Sequence, residues 1–148
     1  MEAIIFCGIP GSGKSTFFKE RFFGTHVRIS LDMLRTRHRE KVFISVCLES
    51  GQRFVVDNTN TTRAERAVYI QAAKNRHFSV VGYYFSSCIE DAITRNSLRT
   101  GKARVPDIAI KSMLSKLERP SLSEGFDALY YVAITDGKFS VSEWNDEL

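Results

Sequence analysis

Gly8-Ile9-Pro10-Gly11-Ser12-Gly13-Lys14-Ser15-Thr16 is the stretch on which the fold of this chain turns. It has the spacing G-x-x-x-x-G-K-[ST], directly after the apolar run Ala3–Cys7 and directly before a helix-forming segment, which is the context the pattern requires. Its glycines let the backbone wrap closely, so that successive amide N–H groups converge on an anion with the positive end of the following helix behind them. Gly8, Pro10, Gly11, Ser12, Gly13, Lys14, Ser15 and Thr16 are therefore assigned to a nucleoside triphosphate. Lys14 reaches the β and γ phosphates. The Ser15 hydroxyl is placed for Mg²⁺, an ion that keeps most of its water and takes few protein ligands.

Outward from the loop, Ala3–Cys7, Val27–Ser30, Arg53–Asp57, Ser79–Phe85 and Leu129–Thr135 read as strands separated by helical stretches. The alternation predicts βαβ units. The expected fold is an α/β P-loop NTPase: a parallel sheet of four to five strands, helices on both faces and a small lid. Helix one follows Gly13, helix two spans Leu31–Ser50, helix three Thr62–Asn75 and helix four Cys88 to about Arg99. Thr62 with Glu65, and Ser87 with Glu90, have capping-box spacing. A further helix, Asp107 to about Arg119, sets Ile110, Met113, Leu114 and Leu117 on one face, to be buried against the sheet. Gly137 permits a turn into a last strand, Lys138–Val141, as a hairpin with Leu129–Thr135. The length of 148 residues fits one domain, 1–148, with the lid at about 99–106.

The net charge of +4 suits a polyanionic partner without demanding one. No apolar run approaches the roughly 20 residues of a membrane span. Met1–Cys7 also lacks the basic flank of a signal peptide, so no membrane association and a cytoplasmic location are expected. Cys7, Cys47 and Cys88 are odd in number and scattered, and they share no ligand spacing with His26, His38 or His77. Reduced, packed thiols and no transition-metal site follow.

Three further places carry chemistry. Asp57 ends the third strand, where a carboxylate orders Mg²⁺ through water; by itself it is more often a strand-end cap or turn former, and the phosphate loop upstream favours the metal role. Asp32 and Arg35, three apart at the start of helix two, face one way, so Asp32 can accept the proton of an attacking hydroxyl and Arg35 can hold an anionic part of the acceptor. The alternative is a helix N-terminal acid in an ion pair. Arg95-Asn96-Ser97-Leu98-Arg99, with Lys102 and Arg104, concentrates cations that can neutralise the transferring phosphoryl group when a loop closes, or simply stabilise a helix C-terminus.

Together these residues resemble the kinase module of polynucleotide 5′-hydroxyl kinases. The resemblance runs through the glycine loop, Asp32…Arg35, Val55-Val56-Asp57-Asn58-Thr59-Asn60, Arg95-Asn96…Arg99, Val105-Pro106 and Glu118-Arg119-Pro120…Glu124-Gly125-Phe126. It implies an adenylate-kinase-like sheet, ATP or another NTP as donor, and Asp32 as general base toward a 5′-OH. It also implies that Arg35 grips the neighbouring phosphate, that Arg99 is the lid arginine and that Arg95 is a supporting cation on the donor. The implied partners are nucleic acid 5′-OH ends in repair, read with little sequence specificity; an oligomer is compatible with the reading. A phosphatase nucleophile motif and a ligase lysine motif are not found. A small-molecule hydroxyl kinase remains the alternative, and a non-catalytic nucleotide-binding module a more distant one. The cations Arg28, Arg35, Arg37, Arg39 and Lys41 around the expected acceptor entrance favour a phosphodiester chain.

Overall fold

A computed structural model describes residues 1–86, 89–101 and 104–145. The Ser87–Glu90 capping box, the start of helix four and the thiol at Cys88, and Lys102 within the lid segment lie outside the described residues.

The strands are β1 (Glu2–Cys7), β2 (Val27–Ile29), β3 (Phe54–Val56), β4 (Ser79–Phe85), β5 (Ala128–Thr135) and β6 (Lys138–Glu143). The helices are α1 (Lys14–Arg21), α2 (Leu31–Leu34), α3 (Arg37–Ser50), α4 (Arg63–Asn75), α5 (Ile89–Ser97) and α6 (Asp107–Lys116), with a 3₁₀ turn at Leu122–Glu124. The sheet runs β2-β3-β1-β4-β5-β6, parallel through β5 and antiparallel at β6. The α/β architecture is as expected. The sixth strand comes from the hairpin at Asp136–Gly137, both of positive φ, and it extends the predicted Lys138–Val141 to Glu143.

β1 is central because Ala3, Ile4, Ile5 and Phe6 are all buried, the continuous apolar run of a strand covered on both faces. Alternation divides the core. Ala3 and Ile5 join Ile29, Val56 and Val80 beneath Ile44 and Cys47 of α3 and Tyr69, Ile70 and Ala73 of α4. Ile4 and Phe6 face the other way, with Val55, Phe85 and Val132, onto Phe17 and Phe18 of α1.

Two helices differ from expectation. Helix two is broken: α2 ends at Leu34, Arg35 turns to φ 76, and Thr36 restarts the chain as N-cap of α3, its Oγ1 accepting from the Arg39 amide at 3.1 Å. A threonine hydroxyl that can cap a new helix outweighs continuation of a short one. Arg35 therefore leaves from a bend and not from the first turn it shares with Asp32. The last helix stops at Lys116: Leu117 is extended and the Glu118 amide donates to the Thr61 carbonyl at 2.7 Å, drawing the chain back to the sheet. Its stripe also packs elsewhere than predicted. Ile110, Met113 and Leu114 cluster with Ile9 and with Ala92 and Ile93 of α5, against the glycine loop and not on the sheet.

Candidate functional site

The glycine loop leaves the C-terminal edge of the parallel strands, the edge at which open α/β sheets place ligands. Gly11 and Gly13 have φ 81 and 98. A Cβ on Gly11 would lie 2.4 Å from the Ala92 carbonyl oxygen, so only glycine fits beneath α5. Backbone and side-chain groups from other segments fasten the turn. The Gly8 amide donates to the Thr59 carbonyl at 2.9 Å, Asn60 Nδ2 donates to the Phe6 carbonyl at 2.8 Å, and Arg95 Nη1 donates to the Gly11 carbonyl at 3.1 Å.

Lys14 folds back into this turn, its Nζ donating to the Gly8 and Ile9 carbonyls, each at 2.9 Å, and to Ser12 Oγ at 3.4 Å. It is only 9% exposed. Burial pushes its amine down to about 8; Asp57, Cys7 and Asp32 pull it back up, and Arg99 pushes it further down. Buried cations feel neighbouring charges strongly, so these contributions mark which groups surround the ammonium. The Cys7 thiol behind the loop is itself pushed up to about 11 by burial, opposed by Arg66 and Lys14.

The two residues assigned to Mg²⁺ lie in contact: Ser15 Oγ donates to Asp57 Oδ2 at 3.1 Å. Arg28 joins them, its Nε on Asp57 Oδ2 at 2.8 Å and its Nη2 on Ser15 Oγ at 3.0 Å. Both oxygens are hard donors of the kind Mg²⁺ takes. Among the described residues no group of three or more His, Cys, Asp or Glu could hold a metal ion, so a cation at this pair depends on water and on a bound nucleotide for its other ligands.

Lys14, Ser15, Asp32, Asp57 and Arg99 line one cavity of about 220 Å³ with Pro10, Asn58, Thr59, Val105 and Met113. Met113 shows that α6 helps to wall the site. Asp32, Arg35 and Arg99 line an adjoining cavity of about 530 Å³ with Ser15, Thr16, Arg28 and Leu31. The structure thus brings together every predicted catalytic and acceptor residue. Arg95 stands apart, on the far side of the loop, beside Ser12, Ser86, Asp91 and Ile134.

Several residues that support the site were given no role by the sequence. Asn58 Oδ1 accepts from the Leu31 amide at 2.9 Å, and its Nδ2 donates to Glu40 Oε2 at 2.9 Å. Glu40, buried, also accepts from Tyr69 OH at 2.8 Å and from Arg37 Nη1 at 3.2 Å. Burial and then Glu40 push the Tyr69 hydroxyl up to about 12, so it stays a donor at neutral pH. This network fixes the amide beside Asp32. A sequence signal was available, since Glu40 stands with Ile44 and Cys47 on the buried stripe of α3, where a carboxylate needs partners. Asn96, fully buried, clasps the segment before α6: it accepts from the Val105 amide at 2.8 Å and donates to the Val105 carbonyl.

A family model for the AAA domain matches residues 36–120. The chain is 27% identical to a bifunctional polynucleotide phosphatase/kinase of Schizosaccharomyces pombe, a match covering 97% of this chain and 36% of the relative. The chain spans about a third of the length of the curated relatives it matches. Among solved structures it resembles Chaetomium thermophilum Kti12 in complex with ADP-AlF3, with a TM-score of 0.64 and 17% identity over 90% of each chain. It also resembles a gluconokinase from Sinorhizobium meliloti, with a TM-score of 0.59 and 19% identity over 91% of this chain and 83% of the other. At these identities the structures speak for the fold alone.

Proposed function

This chain belongs to the AAA domain family, and on that premise we propose that it transfers the γ-phosphoryl group of ATP, or of another NTP, to the 5′-hydroxyl of a polynucleotide. One observation carries the reading. Lys14, Ser15, Asp57, Asp32 and Arg99, drawn from four separate segments, line a single cavity, and Asp32 and Arg99 continue into a second one with Arg28 and Arg35.

In this reading the glycine-loop amides and Lys14 hold the triphosphate. Ser15, and Asp57 through water, would hold Mg²⁺, which when bound neutralises charge on the phosphates. Asp32 takes the proton of the 5′-hydroxyl as that oxygen bonds to the γ-phosphorus and the bond from phosphorus to the β,γ-bridging oxygen breaks, releasing the nucleoside diphosphate. An ordinary carboxylate suffices because in a loose transition state the proton leaves late. Arg99 faces the charge on the transferring group, and Arg35 holds a phosphate of the acceptor bidentately. Arg95, bound to the Gly11 carbonyl, supports the donor side, and the segment 99–106, clasped by Asn96, acts as a lid.

Three arginines around the acceptor cavity favour an anionic acceptor over a neutral sugar. The relative's name supports the polynucleotide reading, and nucleic-acid repair is the process a new 5′-phosphate serves. Cytoplasmic placement accords with free, buried Cys7 and Cys47. No helix among the described residues is long and apolar enough to cross a membrane. The test gives the chain γ-labelled ATP with a 5′-OH oligonucleotide, a nucleoside 3′-monophosphate and a panel of sugars. Label on the oligonucleotide 5′ end is expected; label on sugars alone rejects the polynucleotide acceptor and leaves a small-molecule kinase.

A further inference from the structure

Arg28 stands where two functions meet. Its guanidinium closes a triangle with Asp57 Oδ2 and Ser15 Oγ, at 2.8 and 3.0 Å, while Ser15 donates to the same Oδ2 at 3.1 Å. These oxygens are the pair assigned above to Mg²⁺. A divalent cation ordered there would share Ser15 Oγ and Asp57 Oδ2 with Arg28, and a guanidinium beside it repels it, so the two cations compete.

The partners differ in freedom to move. The Asp57 side chain is 2% exposed, and its amide is tied to the Ile29 carbonyl at 2.8 Å at the end of β3. The Arg28 side chain is 27% exposed and projects from β2, an edge strand of the sheet. Arg28 is therefore the partner that yields. It also lines the 530 Å³ cavity with Asp32, Arg35 and Arg99, so a swing away from Asp57 keeps it among the acceptor residues. We infer that Arg28 is a two-position residue: it holds the Ser15–Asp57 pair until Mg²⁺ displaces it, and it then binds a backbone phosphate of the acceptor beside Arg35. The arrangement makes metal-bound donor strengthen the grip on acceptor, and by reciprocity acceptor strengthens the grip on metal. This rests on the polynucleotide reading for its second position only.

The test compares the wild-type chain with Arg28→Gln and Arg28→Lys. Mg²⁺ is titrated against the ATP-bound protein by calorimetry and by thermal melting, with no acceptor present. Removing a charge-assisted competitor should lower the Mg²⁺ midpoint about tenfold in Arg28→Gln. The variant should melt lower than wild type without Mg²⁺, because Asp57 has lost its ion partner, and it should recover more of its melting temperature when Mg²⁺ is added. At saturating Mg²⁺, KM for a 5′-OH oligonucleotide should rise about tenfold and the log–log salt dependence should lose about one unit of slope. Arg28→Lys, which keeps the charge without the two-point fork, should lower the Mg²⁺ midpoint while retaining the wild-type salt slope. If Arg28→Gln does not fold, Arg28→Lys carries the metal test alone. A wild-type midpoint in whichever variant folds overturns the inference and leaves Arg28 a structural ion pair. Because the metal arm uses no acceptor, it stays readable even if the polynucleotide assignment fails.

Discussion

Lys14 is buried and bonded to three atoms of its own loop, whereas Asp32, which lines the same cavity, is exposed on a helix of four residues. The glycine-loop side is anchored in the core: β1 feeds it, α5 covers Gly11, and Asn60 and Thr59 bond its edges. The α2 side is anchored in the core only through Leu34, is otherwise held by polar contacts, chiefly Asn58 on the Leu31 amide, and ends at the positive-φ bend of Arg35. One side is built to keep its shape before a ligand arrives and the other to admit acceptors, so substitutions on the first should cost stability and on the second affinity.

The largest effect that could break this contrast lies behind the glycine loop. Fully buried Arg66 makes a two-point pair with Glu124 at 2.9 and 3.1 Å and donates to the Asn60 carbonyl at 2.9 Å. Arg66→Ala leaves Glu124 without its ion partner and should cost ~3–5 kcal/mol of unfolding free energy by chemical denaturation. A cost below about 1 kcal/mol, the range of exposed pairs, refutes the anchored donor side.

On the acceptor side Arg35→Gln should leave unfolding free energy within about 0.5 kcal/mol of wild type, as surface substitutions do. KM for a 5′-OH oligonucleotide should rise about tenfold with kcat little changed, the loss of one bidentate phosphate contact in steady-state kinetics. An equal loss of ATP affinity would merge the two halves.

The smallest effect is in pH. Lys14, held down to about 8 by burial, regains affinity for its proton when triphosphate lies against it. Binding therefore takes up a proton once the free chain has begun to lose it. ATP affinity should be level below about pH 8 and fall as pH rises from there toward 10.5, the ordinary lysine value. Calorimetry in two buffers of different ionisation enthalpy at pH 8.5 should show proton uptake in wild type and none in Lys14→Met.

The same contrast explains what could be read from the sequence. The loop from Gly8 to Thr16 is local, and the strands other than β2 announce themselves by apolar runs, so β1 to β5 and their alternation with helices were legible. Strand order was not, because which runs become neighbours depends on crossovers. The break at Arg35–Thr36 was missed because α2 and α3 read as one helical stretch unless Thr36 is recognised as a cap. The stripe of α6 showed that a face is buried but not against what. Arg28 was visible only as one cation among several, since its pairing with Asp57 spans 29 positions.

The most direct measurement is single-turnover transfer from γ-labelled ATP to a 5′-OH oligonucleotide by Asp32→Asn, beside calorimetry of ATP binding to the same variant. If Asp32 accepts the hydroxyl proton, transfer should slow by ~10²–10⁴-fold while ATP binds as in wild type. Transfer at the wild-type rate would contradict that role outright.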